Sequence, residues 1–520
     1  MMIDGSTPHR VLKIGELTRL ITSQLIDLEG RKSAVNLACA SRYLEEPVLS
    51  TLWEGQPWLT ILLKVLPGGN YHFEDSTPDK NEVVRNLDLI EELDAEDGKF
   101  QFRIVGDPSP EAWKRVHRYA AWMHLLFVLS GQVYEEATFR ELRLNSPAGG
   151  WFPALQGLAW TITESNISHT NLFFSLHLKK ISIRSWFSED FEVPHDTLSA
   201  IAAIIPTLPT SNLQYLDLSI CNRGLVSEYF KDAFSSLVLR CGPSLTKFFS
   251  PTSLSDAAMD HLIRLPHLHT CLTTSPPPSY STSPLPLTFP PLVKLTLKEG
   301  TMRGWLSFFE RMEHGASTVQ SVTPLSEVKE SLTDLSIEDH PGTVTDVSFA
   351  TTIQIFRNLV DLRADFACLN GSDFECTFKL NNDNITDLAM ALPRLRELLL
   401  GRPCSKNTCS TTVACLLPIS IHCIELQSLQ VHFNTTNIID DFKDIRGDPR
   451  FQELHSRPRC ALSHLSIANT PLGLSGSDLD IVGTGMIDIF PSLVGDFNSP
   501  RGGDRSLDEL QGRIRELQER

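Results

Sequence analysis

One pattern recurs between residues 139 and 467 and constrains the fold more than any other feature of the sequence. It is Leu-x-x-Leu-x-Leu, with other apolar residues allowed at the leucine positions. The last two apolar positions are two residues apart, so both side chains point to one face of a short β-strand. Such units cannot bury their apolar face alone and must stack on one another. The units are Phe139/Leu142/Leu144, Leu178/Ile181/Ile183, Leu213/Leu216/Leu218, Leu292/Leu295/Leu297, Leu332/Leu335/Ile337, Leu359/Leu362/Ala364, Leu395/Leu398/Leu400, Leu426/Leu429/Val431 and Leu462/Leu465/Ile467, with weaker members at Leu155/Leu158, Leu245/Phe248 and Leu268/Cys271.

Several segments between these units have the apolar spacing of helices that return the chain to the next strand. They are Thr197–Ile205, Ser255–Leu265 and Ile385–Leu392. The pattern resembles a leucine-rich repeat, which implies an α/β fold in which an irregular solenoid, a horseshoe, spans residues 136–500. Successive units begin about 23 to 40 residues apart, longer and less even than the usual repeat, so we expect a degenerate array with long loops.

The residues that alternate with the inward leucines are nearly all polar, as a solvated concave sheet face requires. Concave repeat surfaces commonly bind other proteins, although the same polarity is explained equally well by contact with water alone. We predict target binding on this face, through both positive and negative side chains. The residues concerned are Lys180, Arg184, Tyr215, Lys294, Lys298, Asp334, Glu338, Asp361, Arg363 and Asp365.

The first 60 residues have a different pattern, which predicts three short helices. Apolar residues at helical spacing run from Ile14 to Leu28. Ser33 is placed to cap a second helix, and Pro47 suits the first turn of a third. Between the first two helices the pattern predicts a loop, 26–32. A core this thin leaves an apolar face for a partner to cover, whereas the simpler interpretation is a helical cap on the following domain.

Three strings in this stretch resemble an F-box, particularly those of fungal F-box proteins. They are Val11-Leu12-Lys13-Ile14, the helix AVNLACASRYL over residues 34–44, and Leu52-Trp53. The family usually has Leu-Pro where this chain has Leu12-Lys13. The resemblance covers about a tenth of the chain and implies binding to the adaptor protein of a cullin-based ubiquitin ligase. The residues predicted to form the adaptor-binding surface are Leu12, Ile14, Leu17, Leu20, Ile21, Leu25, Leu37 and Trp53.

The remaining regions are predicted more coarsely. Residues 61–135 are expected to be helical and connecting, with one firm helix over Glu111–Leu129. The segments Thr273–Pro291 and Asn434–Pro458 are expected to be long loops. Residues 501–520 should form a terminal helix, since Leu507, Leu510, Ile514 and Leu517 fall at heptad spacing in Ser506–Arg520.

The sequence contains no recognisable catalytic motif, and we predict no enzymatic activity and no cofactor. His261, His267, His269 and Cys271 are the nearest approach to a metal cluster, yet exposed histidines beside a repeat strand explain them better. Gly483-Thr-Gly485 lacks the third glycine of a dinucleotide-binding loop. Asp440, Asp441 and Asp444 lack the glycine and distal glutamate of a calcium loop.

The net charge and the N-terminal sequence further restrict the class of protein that this chain can be. The formal net charge of −17 argues against binding nucleic acid or an anionic membrane. No apolar run suggests a signal peptide, so the eleven cysteines are expected to be free thiols in the cytoplasm or nucleus. The combined prediction is a substrate receptor of a cullin-RING (SCF-type) ubiquitin ligase. The alternatives are a repeat scaffold that binds proteins without a ligase role, and an enzyme whose site is dispersed along the chain.

Overall fold

The chain has a mixed α/β fold, which divides into two compact units, Met1–Leu245 and Thr246–Arg520. In the described residues of this computed structural model, no helix is both long and apolar enough to span a membrane. The structure describes residues 7–55, 58–67, 69–75, 100–128, 132–163, 166–185, 195–220, 225–274, 292–298, 334–338, 350, 353–354, 356–365, 380–400, 410–431, 433–454, 456–467, 474, 476–493 and 505–519.

The first unit begins with helices and continues with alternating strands and helices. Short 3-10 helices occupy Ile167–Phe173 and Ile205–Thr207. Its helices are α1 (Thr7–Glu29), α2 (Arg31–Ala40), α3 (Arg42–Glu54), α4 (Leu59–Leu63), α5 (Pro110–Ala120), α6 (Glu136–Leu144), α7 (His195–Ile204) and α8 (Leu225–Val238). Its strands are β1 (Tyr71–Asp75), β2 (Phe100–Ile104), β3 (Leu125–Val128), β4 (Gln132–Tyr134), β5 (Gly157–Ile162), β6 (Lys180–Ser185) and β7 (Tyr215–Asp217).

The helices α1, α2 and α3 pack against one another around a small apolar core. Gly30 links α1 to α2 with a φ of 81°, a left-handed conformation that only glycine adopts without strain. This one-residue link replaces the predicted loop 26–32. The fully buried members of the core are Ile26, Ala34, Ala38 and Val48, with Leu37, Leu44, Leu49 and Leu52 packed against them.

The caps of these helices differ from the prediction. The helix α2 begins at Arg31, so Ser33 lies within its first turn and does not cap it. Ser41 caps α3 instead, its Oγ accepting a hydrogen bond from the Tyr43 N–H at 3.3 Å. Pro47 therefore lies inside α3 rather than at its start. Ser41 follows α2 directly, so the end of one helix and the cap of the next share one residue.

Strands β3, β5, β6 and β7 form a parallel run in chain order. Leu126, Leu158, Ile181 and Leu216 occupy the same register position and are fully buried. The strands β1, β2 and β4 form a separate three-stranded sheet, in which β1 is antiparallel to β2 and β2 is parallel to β4.

Two sequence predictions in this unit are wrong. The helix expected over Glu111–Leu129 ends at Ala120, and β3 follows it. A strand buried on both faces gives a continuous apolar run, which periodicity does not distinguish from a buried helix. Conversely, Phe139 and Leu142 belong to helix α6, because a spacing of three also suits a helix, and Leu144 is exposed. Residues 61–135 accordingly contain strands as well as helices.

The second unit is built from parallel strands that follow one another in chain order, with helices between several of them. A 3-10 helix covers Val413–Cys415. The strands are β8 (Lys247–Phe249), β9 (Thr270–Thr274), β10 (Lys294–Lys298), β11 (Asp334–Glu338), β12 (Asp361–Asp365), β13 (Glu397–Leu400), β14 (Ser428–Val431) and β15 (His464–Ile467). The helices are α9 (Asp256–Leu262), α10 (Asn382–Ala391), α11 (Leu416–His422), α12 (Ile438–Gly447), α13 (Pro449–Leu454), α14 (Gly476–Ile489) and α15 (Arg505–Glu519).

One register position in this unit is apolar and buried in every strand. The side chains at this position are at most 3 % exposed. This is the middle leucine of the sequence pattern, and the prediction of a strand at each unit from Leu178 onwards is confirmed. The residues are Phe248, Cys271, Leu295, Leu335, Leu362, Leu398, Leu429 and Leu465.

In many of the described repeats, the residue before a strand accepts the same pair of hydrogen bonds from the start of the next strand. In the second unit, for example, the carbonyl of Arg396 accepts the N–H groups of Gln427 and Ser428, and the carbonyl of Gln427 accepts those of Ser463 and His464. The carbonyl of Lys179 does the same in the first unit. This carbonyl ladder satisfies backbone groups at the amino-terminal edge of the strands and fixes their register.

Two further expectations in the second unit have different outcomes. The segment Asn434–Pro458 contains α12 and α13, so the predicted long loop is wrong: Ile438, Phe442 and Ile445 are buried at helical spacing. The terminal helix is confirmed as α15, which packs against α14. Of the other predicted loop, Thr273–Pro291, residues 275–291 lie outside the described ranges.

Gly483 and Gly485 of α14 lie where this helix contacts two neighbouring helices. A Cβ on Gly485 would lie 2.5 Å from Cδ1 of the fully buried Phe442 in α12, so no side chain fits there. A Cβ on Gly483 would make ordinary contacts at 3.5 to 3.8 Å with Leu517, Leu510 and Arg513 of α15. The two glycines therefore differ in how closely a neighbouring helix approaches.

This difference predicts opposite effects of the same substitution. Gly485→Ala should lower the free energy of unfolding by about 1–3 kcal/mol, because Phe442 has no space to yield. Gly483→Ala should raise it by about 0.5–1 kcal/mol through helix propensity. Urea-induced unfolding of both variants checks this. Equal effects of the two substitutions would contradict the packing described.

His169, in the 3-10 helix of the first unit, is buried and stacks on Phe139 with ring centroids 5.3 Å apart. Neither ring nitrogen has a hydrogen-bond partner among the described residues. Burial lowers its pKa, and Arg143 and Arg140 also lower it, whereas Glu136 raises it. The folded chain therefore holds this imidazole in its neutral form.

A lowered pKa makes stability depend on pH with a definite sign. Below about pH 6.5 an unfolded histidine takes up a proton that the folded His169 resists, so stability falls as the pH falls. We expect His169→Phe to lose less stability than wild type between pH 7.5 and pH 5, by up to about 1.4 kcal/mol per pH unit. Urea unfolding at both pH values measures this difference. An identical pH dependence in both proteins would contradict it.

Candidate binding surfaces

Over residues 17–22, helix α1 carries its apolar side chains on the outside. Leu17, Leu20 and Ile21 are 57 %, 60 % and 45 % exposed, whereas Thr18 and Thr22 are buried. The hydroxyl of Thr22 donates to the carbonyl of Thr18 at 2.7 Å, so the polar atom on the inner face is satisfied within the helix. The usual order of a surface helix is thus inverted, and we call Leu17, Leu20 and Ile21 the α1 face.

Other exposed side chains of the helical unit were missed by the sequence prediction. Val35 on α2 is 45 % exposed, and Cys39, one turn further along α2, is an exposed free thiol. Tyr43 at the start of α3 is almost fully exposed. An apolar residue at helical spacing has the same signal in the sequence whether it faces inward or outward. Only the packing of the three helices distinguishes them.

The other predicted adaptor-binding residues have different surroundings. Leu37 packs on the small helical core and Leu25 is partly buried. The indole of Trp53 stacks on the ring of Tyr119 in α5, with centroids 4.8 Å apart and planes 12° apart. Trp53 therefore holds α3 to the next part of the chain. Leu12 and Ile14 belong to α1, but their side chains lie outside the description.

Of the residues predicted to bind a target, those in the first unit are largely part of its structure. Tyr215 is buried, which contradicts its expected place on a solvated face. Arg184 is partly exposed and donates from Nε to Oδ2 of Asp217 at 3.1 Å. Lys180 is partly exposed. Polar Ser182 and Asp217 are buried as well, so the alternation of polar residues was not a sign of exposure here.

Asp217 is the buried centre of this arrangement and was not predicted as a key residue. Its Oδ2 also accepts a hydrogen bond from the Ser182 hydroxyl at 2.8 Å. Its Oδ1 accepts from the backbone N–H and the hydroxyl of Ser219, at 3.1 and 2.6 Å. A buried carboxylate with this many donors is a structural ion, because every lone pair lost to water is replaced.

In the second unit the register brings the remaining predicted residues into two rows. Lys294, Asp334 and Asp361 are direct neighbours on β10, β11 and β12. The parallel row contains Lys298, Glu338 and Asp365. Lys294 is exposed and Asp361 partly so, whereas the side chains of Lys298, Asp334, Glu338 and Asp365 lie outside the description.

Arg363 lies between these rows. Its guanidinium, exposed on β12, donates to Glu397 on β13 at 2.6 Å. An exposed ion pair of this kind contributes little to stability and remains available to a partner. The register therefore places positions of opposite charge side by side on neighbouring strands of this unit.

The described part of the chain contains no group of three or more His, Cys, Asp or Glu side chains that would hold a metal ion. His267 and His269 are exposed, but Cys271 is buried, and burial raises the pKa of its thiol to about 12. The thiols of Cys423 and Cys460 are also buried, and each points to backbone carbonyls of the preceding repeat. Thiols this hard to ionise are poor nucleophiles.

Comparisons with known proteins give little further information. No protein-family model matches the chain, and no curated protein matches it. Among solved structures, it is similar to a chain of the crystal structure of the Rad7 and Elc1 complex in yeast, with 12 % sequence identity and a TM-score of 0.28. The similarity covers 65 % of this chain and 74 % of that chain. A TM-score this low does not establish a shared fold.

Proposed function

We propose that this protein is a substrate receptor of a cullin-based, SCF-type ubiquitin ligase. Its N-terminal helical unit, 1–60, acts as an F-box that binds the adaptor, and its strands form a leucine-rich repeat array that holds a target protein. The chain contributes no chemistry of its own. It raises the effective concentration of the target at a separate enzyme that transfers ubiquitin to a target lysine. We place it in the cytoplasm or nucleus.

The observation that carries this proposal is the inverted polarity of α1. Leaving the α1 face in water while burying two threonines is unfavourable for the chain alone. Each leucine or isoleucine of this face would contribute about 1.5–3 kcal/mol on being fully buried by a partner. The inversion is therefore accounted for if another protein covers the helix.

Contacts within the first unit support a rigid presentation of this face. Trp53 stacks on Tyr119, and Glu45 forms an ion pair with Arg118 at 3.7 Å. Two side-chain contacts therefore join α3 to α5. A preformed surface binds with less loss of conformational entropy than one that orders on binding. The helices thus present the adaptor with a preformed binding surface.

The sequence strings supply the identity of the partner. Together the three strings resemble an F-box. The first lies in α1, residues 34–44 run from α2 across Ser41 into α3, and Leu52-Trp53 lies in α3. Without a matching family model, the choice between a ligase receptor and a protein-binding scaffold depends on whether an adaptor binds. Binding of an adaptor is therefore the property to measure.

The test is to purify the full chain with and without a recombinant adaptor of this ligase class. We expect a stable complex on size-exclusion chromatography. We also expect iodoacetamide to modify Cys39 more slowly in the complex, because Val35 and Cys39 lie one turn apart on the exposed side of α2. Peptide mass spectrometry reports the modification of this cysteine alone. If no adaptor of the class binds the folded chain, the receptor function is excluded and the scaffold remains.

A further inference from the structure

A polar groove of about 380 Å³ runs along the amino-terminal edge of the strands in the first unit. It is formed by two sets of equivalent positions in successive repeats. The first set consists of the residues directly before β3, β5, β6 and β7. The second set consists of residues three positions before β5, β6 and β7, together with Ser244 in the next repeat. The lining residues are His124, Gln156, Lys179 and Gln214, and Ala154, His177, Asn212 and Ser244.

The walls of this groove are held in place by the carbonyl ladder. The carbonyl of His124 accepts the N–H groups of Gln156 and Gly157, and that of Gln156 accepts those of Lys179 and Lys180. The hydroxyl of Ser244 donates to the carbonyl of Leu213 at 2.9 Å. The amide of Asn212 also donates to the carbonyl of Leu176, at 3.3 Å. The backbone under the groove is therefore held in place by its own hydrogen bonds.

The groove is lined by side chains that carry positive charge or donate hydrogen bonds. His124, His177 and Lys179 can each be cationic, and the amides of Gln156 and Asn212 can donate. None of the eight lining residues is a carboxylate. The side chains of His124, His177 and Lys179 make no hydrogen bond or ion pair with the other described residues. The formal net charge of the chain is −17, so a groove lined by basic residues and no acidic ones differs from the chain as a whole.

We propose that this groove binds a phosphate monoester. A phosphoryl group offers three acceptor oxygens and nearly two negative charges, which suits a site lined by a lysine, two histidines and side-chain amides. The groove is larger than the phosphoryl group alone, so it also accommodates the atoms that the ester links to it. The same chemistry comes from a phosphorylated serine of a protein or from a small phosphorylated metabolite. This site is separate from the α1 face and does not depend on adaptor binding.

The experiment is isothermal titration of the full chain, without adaptor, with inorganic phosphate at constant ionic strength. We expect saturable binding in wild type and at least a tenfold loss of affinity in Lys179→Ala combined with His177→Ala. Because both side chains are exposed, these substitutions should leave the fold intact, which circular dichroism verifies. Lys114→Ala, an exposed lysine on α5, is the matched control and should bind phosphate as wild type does.

The source of the phosphate is resolved by two further ligands under the same conditions. A short peptide with phosphoserine binding more tightly than adenosine monophosphate identifies a protein ligand, and the reverse order identifies a metabolite. In either result the phosphate group is what binds. The proposal is overturned if phosphate gives no saturable heat, if the double variant binds as wild type does, or if the unphosphorylated peptide binds equally well. None of these failures would affect adaptor capture.

Discussion

Leu17→Asp combined with Ile21→Asp is expected to weaken adaptor binding by at least 100-fold. Each side chain is about half exposed in the free chain, so the substitutions should barely change its stability. In the complex, however, two apolar contacts of about 1.5–3 kcal/mol each would be lost, and two carboxylates would lie in an apolar interface. A loss of 1.4 kcal/mol corresponds to a factor of ten in affinity. Surface plasmon resonance with immobilised adaptor measures the effect.

Leu144→Asp provides the matched control for this double variant. Leu144 lies on α6, outside the N-terminal helices 1–60, and is 72 % exposed. It should bind adaptor with the wild-type affinity. Equal binding by the double variant and wild type would show that the adaptor, if it binds, uses another surface. Weak binding by all three proteins would remove the basis of the proposal itself.

Asp217→Ala is expected to lower the free energy of unfolding by about 1–3 kcal/mol. The substitution removes an acceptor from Ser182, Arg184 and Ser219 at once. The buried Ser182 hydroxyl loses its partner without access to water, whereas Arg184 and Ser219 reach the solvent. The cost is that of breaking a buried, fully bonded ion. It is larger than the cost expected for breaking an exposed ion pair. Urea-induced unfolding followed by tryptophan fluorescence reports it.

Two comparisons make this measurement specific. Asp107→Ala removes an exposed carboxylate of the same unit and should change stability by less than about 0.5 kcal/mol. Asp217→Asn keeps one acceptor oxygen and should fall between wild type and Asp217→Ala. If Asp217→Ala costs no more than Asp107→Ala, the carboxylate has no structural role. Arg184 would then regain its predicted place as a target-binding residue.

The sequence was most informative where one spacing has one structural meaning. From Leu178 onwards, each apolar triplet that the structure describes coincides with a strand, because a two-residue alternation suits only an extended chain. Phe139 and Leu142 show the limit, since a three-residue spacing also fits the helix in which they lie. Leu125–Val128 was missed because all four side chains are buried, which removes the alternation altogether.

The binding surfaces were less predictable for a related reason. Leu17 and Leu37 are both leucines at helical positions, yet one faces water and the other packs on the helical core. Tyr215 occupies a register position that is polar in other strands, yet it is buried, as polar Ser182 and Asp217 are. Exposure depends on which elements lie opposite, and this information is not contained in local spacing.

The carbonyl ladder explains how a regular sheet tolerates such irregular spacing in the sequence. Where the structure describes this pair of bonds, a strand is aligned by the peptide group just before its predecessor, although the number of residues in between differs. Between Lys298 and Asp334 the chain inserts a long segment, yet β10 and β11 pair residue for residue, as β9 and β10 do across a shorter one. Connecting segments of very different length are thus compatible with one and the same residue-for-residue pairing of the sheet.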